Sequence, residues 1–426
     1  MTSSLVIIAA LIMLVLLFMK VPVFISVLAG SFVYFICSPN LPAQIMAQRV
    51  LAGVESIPLL AIPFFVCSGV IMNYSGVTRR VMRFCEVLVR KVPGGLAQVN
   101  VLLSTLMGGL SGSNLADAAM EAKMLVPEME KKGFSREFSS VVTAVSAMIT
   151  PLIPPGIAMI IYGSIANVSI GKLFVAGIGP GLLLCFAMMI MVGSISVKRR
   201  YTNEMSETIS LGKAFKEAVW PLLLPVVIIG GIRLGIFTPT EAGAVAIIYA
   251  VVLSLIYREF SFKNLFQAIK ETVATTASIM MIVGAASAFA WILTRERIPQ
   301  QLTDFMVASI SNKYIFLLFV NVFLILVGMF IEGNASMIVL VPLLVPVARA
   351  FGIDDIQFAM MFIFNNAIGA ISPPMGTLMF VTCGITRCRI AAFIKEALPF
   401  YILLLVCLAL LTFVPFFSLG MVNLIY

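Results

Sequence analysis

Thr150-Pro-Leu-Ile-Pro-Pro-Gly156 and Ser372-Pro-Pro-Met-Gly-Thr377 each interrupt a long apolar run with a double proline. Proline removes a backbone hydrogen-bond donor and disrupts the preceding helical turn, and glycine permits unwound backbone. One such break in a membrane helix is usually only a kink. Because the same break occurs in both halves of the chain with polar residues beside it, we favour paired binding sites over kinks.

The residues around the two breaks also repeat, at a fixed spacing of 219. Further upstream the register slips by two residues, so Gly112 is expected to correspond to Gly333. A fixed spacing over so long a stretch indicates duplication, and we place a first repeat at 1–205 and a second at 213–426. The matches at the fixed spacing are Leu125-Val126-Pro127 with Leu344-Val345-Pro346, Gly133 with Gly352, Pro154-Pro155 with Pro373-Pro374, and Pro180 with Pro399.

The composition excludes a soluble globular protein. Hydrophobic residues make up 61% of the 426 residues and charged residues only 11%, whereas soluble domains carry about a quarter charged residues. Several apolar runs reach the length of about 20 residues that spans a bilayer as a helix. They do not alternate as the strands of a barrel would, so we predict an all-α polytopic membrane protein.

Each repeat contains the same predicted parts, including an interrupted stretch typical of a re-entrant hairpin and a helix broken at the double proline. Five crossings per repeat follow, and an odd number requires the halves to be inverted relative to each other. In the first repeat we predict helices at 4–19, 22–37 and 58–75, a hairpin at 94–127, a broken helix at 138–166 and a last helix at 173–197. In the second we predict helices at 216–236, 239–257 and 274–294, a hairpin at 314–348, a broken helix at 357–385 and a last helix at 392–417.

The loop charges favour this inversion. The net charge of +9 comes from basic residues in short loops, where it sets topology and does not indicate nucleic-acid binding. Basic loops at 77–91, 128–137, 198–216 and 258–271 are predicted to be cytoplasmic. The N-terminus and the 38–57 loop are then predicted to be periplasmic, and the weakest case is 295–313, which is basic but predicted outside.

The hairpin tips and the broken helices carry the candidate chemistry. The tips read Gly-Leu-Ser-Gly-Ser-Asn-Leu-Ala-Asp (109–117) and Glu-Gly-Asn-Ala-Ser (332–336). Carbonyls freed by a break cost several kcal/mol each at membrane depth unless they are satisfied. Na⁺ satisfies them well, with hydroxyl and amide oxygens as further ligands. The half-helix N-termini beside each break suit a carboxylate, because they carry partial positive charge.

Charged and amide residues within the apolar segments are the remaining candidates. For Asp117 we weigh a site role against a local pairing with Lys123, and Asn365 and Asn366 either join helices or line a site. Glu241 is interpreted as a first-turn acid favoured by the helix dipole. The chain has no histidine, no HExxH and no GxSxG accompanied by a base, so an enzyme is not expected.

Several motifs together resemble the large membrane subunit of tripartite ATP-independent periplasmic (TRAP) transporters, and the resemblance covers nearly the whole chain. It implies an elevator-type transporter in the bacterial inner membrane. It also implies Na⁺ coupling without another cofactor, and an organic anion as substrate. The implied partners are a small membrane subunit of about four helices and a periplasmic substrate-binding protein. The motifs are Phe237 to Ala246, Leu110-Ser-Gly-Ser113, Ile153-Pro-Pro-Gly156, Tyr162-Gly163 and Ser372-Pro-Pro-Met-Gly-Thr377.

The resemblance also implies site residues. The family's ion-binding regions carry over onto Gly112, Ser113, Asn114, Thr150, Pro154 and Gly156, and onto Gly333, Asn334, Ser372, Gly376 and Thr377. Substrate is expected between these regions, at Ser111, Asn114, Asp117, Pro155, Asn334 and Pro374. This chain departs from many relatives by carrying Asn114, Glu121 and Lys123 where they have small residues. The alternative hypothesis is proton coupling through Asp117 or Glu121, because buried carboxylates can titrate near neutral pH.

Overall fold

The computed structural model describes residues 2–38, 41–42, 44–201 and 210–426. These residues contain helices and no strand, which confirms the predicted all-α class. The helices of the first half are α1 (Thr2–Phe18), α2 (Val23–Cys37), α3 (Gln44–Val54), α4 (Ala61–Tyr74), α5 (Val77–Leu88), α6 (Gly95–Ser111), α7 (Asn114–Lys131), α8 (Arg136–Ser146), α9 (Ile157–Ala166) and α10 (Ile170–Arg199).

The second half follows the same order. Its helices are α11 (Leu211–Arg233), α12 (Pro239–Ile256), α13 (Phe262–Arg295), α14 (Ile298–Ser309), α15 (Lys313–Gly328), α16 (Gly333–Ala350), α17 (Asp355–Ile371), α18 (Thr377–Thr386), α19 (Ile390–Phe413) and α20 (Phe416–Ile425). The boundary predicted at residue 205 lies outside the described residues.

Several segments that the sequence left as loops are helices. α3, α5 and α14 lie within the predicted loops 38–57, 77–91 and 295–313. They are short and carry polar residues, so the search for long apolar runs passed over them. α13 also begins twelve residues earlier than predicted, and α20 continues the chain beyond the last predicted helix.

Seven described helices are long and apolar enough to cross a membrane, and an eighth span results if Arg136–Leu152 and Ile157–Ala166 count as one helix bent by 43°. The bent pair is the predicted broken helix of the first half. Other apolar helices, including α1, α2, α6 and α15, are shorter. The number of crossings and the inversion of the halves stay predictions.

The spacing of 219 extends to the hairpin tips. α7 begins at Asn114 and α16 at Gly333, and the residues that precede them as N-caps are Ser113 and Glu332. The predicted match of Gly112 with Gly333 is therefore wrong at this point, because the two helices begin in register. The tips differ instead in the chemistry of the capping side chain, a hydroxyl in one half and a carboxylate in the other.

The two halves pack against each other through their hairpins and broken helices. α7, the second arm of the first hairpin, packs against α18, which follows the break in the second half. α16, the second arm of the other hairpin, packs against α9, which follows the break in the first half. Each hairpin therefore faces the broken helix of the other repeat as well as its own, and the four elements form one body.

In each half an ion pair joins the second hairpin arm to the helix that follows it. The acid lies on the arm in the first half, whereas the base lies on the arm in the second half. Glu130 near the end of α7 pairs with Arg136 at the start of α8. At positions 219 residues later, Arg349 pairs with Asp355 at 2.8 Å. Such half-exposed pairs add little stability individually. Their common position shows that the same arm-to-helix junction is built twice.

Loops that were predicted to share a membrane side contact one another in pairs. The Arg79 guanidinium of α5 is 4.0 Å from the Glu259 carboxylate, and the Ser135 amide donates to the Tyr201 hydroxyl at 3.5 Å. These contacts join the basic segments 77–91 and 128–137 to those that follow α12 and α10. That these loops are cytoplasmic stays a prediction.

The close approach of α15 to α17 depends on two glycines. A Cβ placed on Gly369 would lie 2.5 Å from the Cα of Gly328 and 2.9 Å from its carbonyl oxygen. No real side chain fits this distance, so the helices touch through their backbones, as small residues permit in membranes. The corresponding approach in the first half brings Gly108 against Thr150, where a Cβ would lie 2.8 Å from the Cα of Thr150.

We expect Gly369→Ala to destabilise the protein by about 1–3 kcal/mol, the usual cost of overpacking, because α15 and α17 must move apart. Gly384→Ala is the matched control, since a Cβ there meets nothing within 4 Å and alanine favours a helix by about 0.5–1 kcal/mol. Thermal unfolding of both purified variants in detergent checks this. Equal midpoints for the two variants would contradict the close approach.

Candidate functional site

A cavity of about 550 Å³ lies between the two hairpin tips and the long helix α13. The tips and the helices that follow the breaks form one wall, and α13 with the start of α2 forms the other. Its polar lining consists of hydroxyl, amide and carboxylate side chains, with no lysine or arginine among the lining residues. These polar residues are Ser113, Asn114, Thr275, Ser278, Glu332, Asn334, Asn366 and Thr377.

Four helices point their N-termini at this cavity. α7, α9, α16 and α18 begin at Asn114, Ile157, Gly333 and Thr377, and each of these first residues lines the cavity. Each N-terminus carries roughly half a positive charge together with unpaired backbone N–H groups. Two of the helices follow hairpin tips and two follow the double-proline breaks. The arrangement directs backbone amide donors and the positive ends of four helix dipoles toward a cavity without basic side chains, in which Glu332 supplies the one carboxylate of the lining.

The first tip is held by backbone geometry. Gly112 has φ +64°, a conformation that L side chains rarely adopt, and a Cβ there would lie 2.9 Å from the Pro155 carbonyl oxygen. The next residue, Ser113, caps α7 by accepting from the Ala116 amide at 3.4 Å, and the Asn114 side-chain oxygen accepts from the Leu115 amide. The tip thus lies directly against the carbonyl of the broken helix.

The second tip uses a carboxylate. Glu332 caps α16 by accepting from the Ala335 amide at 3.1 Å and from the Asn334 side-chain amide at 2.9 Å. Asn366 of α17 donates to the Gly333 carbonyl at 3.1 Å and accepts from the Ser336 hydroxyl at 2.9 Å. Tip and broken helix are therefore tied together by side-chain bonds in this half.

The breaks themselves are unwound over four to five residues. In the first half a 3₁₀ segment spans Ala147–Leu152, Ile153 is its C-cap, and α9 begins after Gly156. In the second half α17 ends at Ile371, whose carbonyl accepts from the Tyr401 hydroxyl at 2.7 Å, and α18 resumes after Gly376. Both Pro-Pro peptide bonds are cis. The second break is one residue longer, so α9 and α18 begin 220 residues apart, as do α10 and α19. The predicted match of Pro180 with Pro399, at a spacing of 219, is therefore one residue out of register with these helices.

The cavity gathers some of the predicted site residues and leaves others outside. Its lining includes Gly112, Ser113, Asn114, Gly333, Asn334 and Thr377. Buried residues that do not line it are Ser111, Asp117, Thr150, Pro154, Pro155, Gly156, Ser372 and Gly376. Pro374 is exposed and also outside the lining, so the two double prolines are not equivalent in their surroundings.

Asp117 is fully buried behind the first tip and is bound by two hydroxyls. Its Oδ2 accepts from Ser111 at 2.6 Å and from Thr150 at 2.8 Å, while Oδ1 is buried without a described partner. Lys123 is exposed on the same helix. Of the two sequence-based alternatives, the local pairing with Lys123 is therefore wrong, and the carboxylate joins the hairpin to the broken helix.

The asparagines of α17 divide between the two roles that the sequence left open. Asn365 donates to the Asn321 side-chain oxygen at 2.9 Å and joins α17 to α15. Asn366 lines the cavity. Glu241 forms a capping box with Thr238 at the start of α12, as its interpretation as a first-turn acid predicted.

Sequence reasoning missed the wall of the cavity formed by α13. Thr275 and Ser278 line the cavity there. Their spacing of three residues places both hydroxyls on one face of an otherwise apolar helix. That pattern was the available signal, but it carries no proline or glycine break, and only packing against the tips distinguishes it from helix-helix contact.

Comparison with known proteins relates this chain to a family. The family model described as "Tripartite ATP-independent periplasmic transporter, DctM component" matches residues 10–417. The chain is 40% identical over 406 residues to the sialic acid TRAP transporter large permease protein SiaM of Vibrio cholerae, covering 95% of each chain. It is 37% identical over 377 residues to the 2,3-diketo-L-gulonate TRAP transporter large permease protein YiaN of Escherichia coli, covering 87% of this chain and 88% of that one.

Among solved structures, the YdaH transporter of Alcanivorax borkumensis superposes with a TM-score of 0.68. The match covers 93% of this chain and 97% of that chain at 15% sequence identity. At this identity the likeness concerns the fold alone.

Cysteine labelling tests the cavity wall. In a chain with the exposed Cys37 and the half-buried Cys67 replaced by serine, we expect Ser113→Cys to react quickly with a water-soluble maleimide, because Ser113 lines the cavity. Ser111→Cys is the matched control and should stay largely unreacted, because Ser111 is 6% exposed. Equal labelling rates in detergent would show that the cavity does not end at the tip.

Proposed function

This chain belongs to the DctM family of tripartite ATP-independent periplasmic transporters, and on that premise we propose that it imports an organic acid in symport with Na⁺. Members of the family are multi-pass inner-membrane permeases for organic acids and are not enzymes. They work with a small membrane subunit and a periplasmic binding protein. We propose both partners for this chain, with its N-terminus on the periplasmic side.

The observation that carries the proposal is the convergence of four helix N-termini on one cavity. A carboxylate is bound there by backbone N–H groups and helix dipoles, so no basic side chain is needed. The amide and hydroxyl groups of Asn114, Asn334, Thr275 and Ser278 surround the same space. This lining favours an organic acid that carries further hydrogen-bonding groups, with Asn114 and Asn334 as its proposed contacts.

We place the coupling ions where the tips meet the breaks. The first proposed site comprises Gly112, Ser113 and Asn114 with Thr150, Pro154 and Gly156. The second comprises Gly333 and Asn334 with Ser372, Gly376 and Thr377. Support comes from the unwound backbone in both halves and from the approach of Gly112 to the Pro155 carbonyl. Na⁺ is a hard cation, and such carbonyl and hydroxyl oxygens suit it.

The position of the cavity supports an elevator movement. One wall belongs to the body formed by the hairpins and broken helices, and the other belongs to α2 and α13. We propose that this body slides against α2 and α13 and carries the substrate and its ions with it. The mostly apolar side chains of α13 along this wall, such as Ile279 and Ile282, suit a sliding contact.

Uptake into proteoliposomes tests the coupling. The chain is reconstituted with its small subunit, and the loaded binding protein is added outside together with labelled substrate. We expect accumulation to require an inward Na⁺ gradient. Accumulation that proceeds equally with K⁺ in place of Na⁺, under the same membrane potential, would overturn Na⁺ coupling.

We expect Gly112→Ala to abolish Na⁺-driven uptake, because the methyl group would lie 2.9 Å from the Pro155 carbonyl and open the first proposed ion site. Gly352→Ala is a matched control: its φ of +67° imposes the same backbone strain, but a Cβ there meets nothing within 4 Å. Both variants are compared for uptake and for thermal stability. Loss of uptake in both, or in neither, would contradict the proposed site.

Proton coupling is the second candidate, and the burial of Asp117 and Glu121 favours it. Each carboxyl group is fully buried and has one oxygen without a described partner. If protons drive transport through Asp117, Asp117→Asn abolishes uptake that is driven by a pH gradient alone. If a pH gradient has no effect on uptake by the wild-type protein, proton coupling is excluded.

A further inference from the structure

Glu121 lies one helical turn beyond Asp117 in α7 and is fully buried. Its Oε2 is 2.7 Å from the Ser104 hydroxyl of α6, and its Oε1 is buried without a described partner. It does not line the cavity. A carboxylate in this position would lack a cation, and burying an unpaired charge is strongly unfavourable.

A chain of hydrogen bonds runs from Glu121 through α6 and α8, and it starts at a group that can only accept. The backbone carbonyl of Ser139 accepts from the Thr143 hydroxyl at 2.9 Å. Thr143 therefore has no proton left and must accept from the Asn100 amide nitrogen, 2.6 Å away. This orientation turns the side-chain oxygen of Asn100, which only accepts, toward Ser146.

The next two hydroxyls have their directions fixed in the same way. Ser146 lies 3.2 Å from the Asn100 oxygen and 3.2 Å from the Thr143 carbonyl, and both are acceptors. When its single proton is used there, it accepts from Ser104 at 2.9 Å, and Glu121 then supplies the hydrogen of its 2.7 Å contact with Ser104. In the opposite arrangement Ser104 donates to a Glu121 carboxylate and Ser146 donates to Ser104. Both 3.2 Å contacts of Ser146 then lack a hydrogen.

We propose that Glu121 holds a resident proton and donates it to Ser104, so that the first hairpin contains a neutral carboxylic acid. The proton completes an unbroken, one-directional chain of hydrogen bonds that ties α7 through α6 to α8. A neutral acid also leaves Oε1 as an uncharged carbonyl oxygen, which tolerates burial far better than a carboxylate. This site is separate from the ion and substrate sites proposed above.

The groups around Glu121 offer no positive charge in compensation. Asp117 lies one turn away on α7, and the buried thiol of Cys85 approaches from α5, with Cys185 of α10 beyond it. The other charges of α5 are the acid Glu86 and three arginines that contact other groups: Arg79 and Arg83 lie 4.0 Å from Glu259 and Glu217, and Arg80 lies over the Tyr257 ring. The sequences of α6, the 3₁₀ segment and α18 contain no charged residue. The charges of α8, Arg136 and Glu137, are at its far start, and Lys123 is exposed.

The proton site exists in one half of the molecule only. The positions 219 residues later are Ser336 in place of Asp117 and Leu340 in place of Glu121. In the second half the first hairpin arm, α15, is joined to the broken helix, α17, by a hydrogen bond between the side-chain amides of Asn321 and Asn365. A carboxyl group is therefore not required by the repeated architecture at this position.

Infrared spectroscopy of the purified protein at neutral pH tests the proposal directly. We expect a C=O band of a protonated carboxyl group that is lost in Glu121→Gln and kept in Asp117→Asn. Glu121→Gln should fold, because its side-chain amide can also donate to Ser104. In Ser104→Ala the band should shift in frequency and persist, since the acid remains neutral but loses its acceptor.

Thermal stability supplies a second, independent measurement. A proton that the folded chain holds and the unfolded chain releases makes stability fall as pH rises. We expect this fall to be smaller in Glu121→Gln than in the wild type. A Glu121→Gln spectrum unchanged in the carboxyl region, or a pH profile identical to that of the wild type, would overturn the proposal.

Discussion

Backbone polar groups cannot stay unpaired within a membrane, and this constraint governs the whole molecule. Two helices are nevertheless unwound at double prolines, and two hairpins turn at glycine-rich tips. The freed groups are placed where protein surrounds them, around one cavity on which four helices begin. The fold can be understood as the arrangement that shelters these interruptions while leaving their donors and acceptors accessible from the cavity.

Packing between the two repeats surrounds these interruptions with protein. Each hairpin packs against the post-break helix of the other repeat, and glycines let helix backbones touch, as at Gly328 and Gly369. The ion pairs of Arg136 and Arg349 close the two junctions with opposite polarity. The hairpins and broken helices therefore move together if they move at all, and the proposed elevator movement depends on that.

Buried polar chemistry distinguishes the two halves. The first half uses the carboxyl groups of Asp117 and Glu121 with a run of hydroxyls, and the second uses asparagines at the corresponding junction. Glu332 caps the second tip where Ser113 caps the first. The repeat conserves the geometry of backbone and packing, whereas the charge at each position is free to differ.

The sequence by itself determined the helical class, the duplication, the positions of both breaks and both tips, and the family, because apolar length, proline and glycine act locally. It also identified six of the residues that line the cavity, Gly112, Ser113, Asn114, Gly333, Asn334 and Thr377. Tertiary structure alone decided that Thr275 and Ser278 face the tips and that Asp117 pairs with hydroxyls and not with Lys123. These outcomes depend on how helices distant in sequence pack together, and no local pattern specifies that packing.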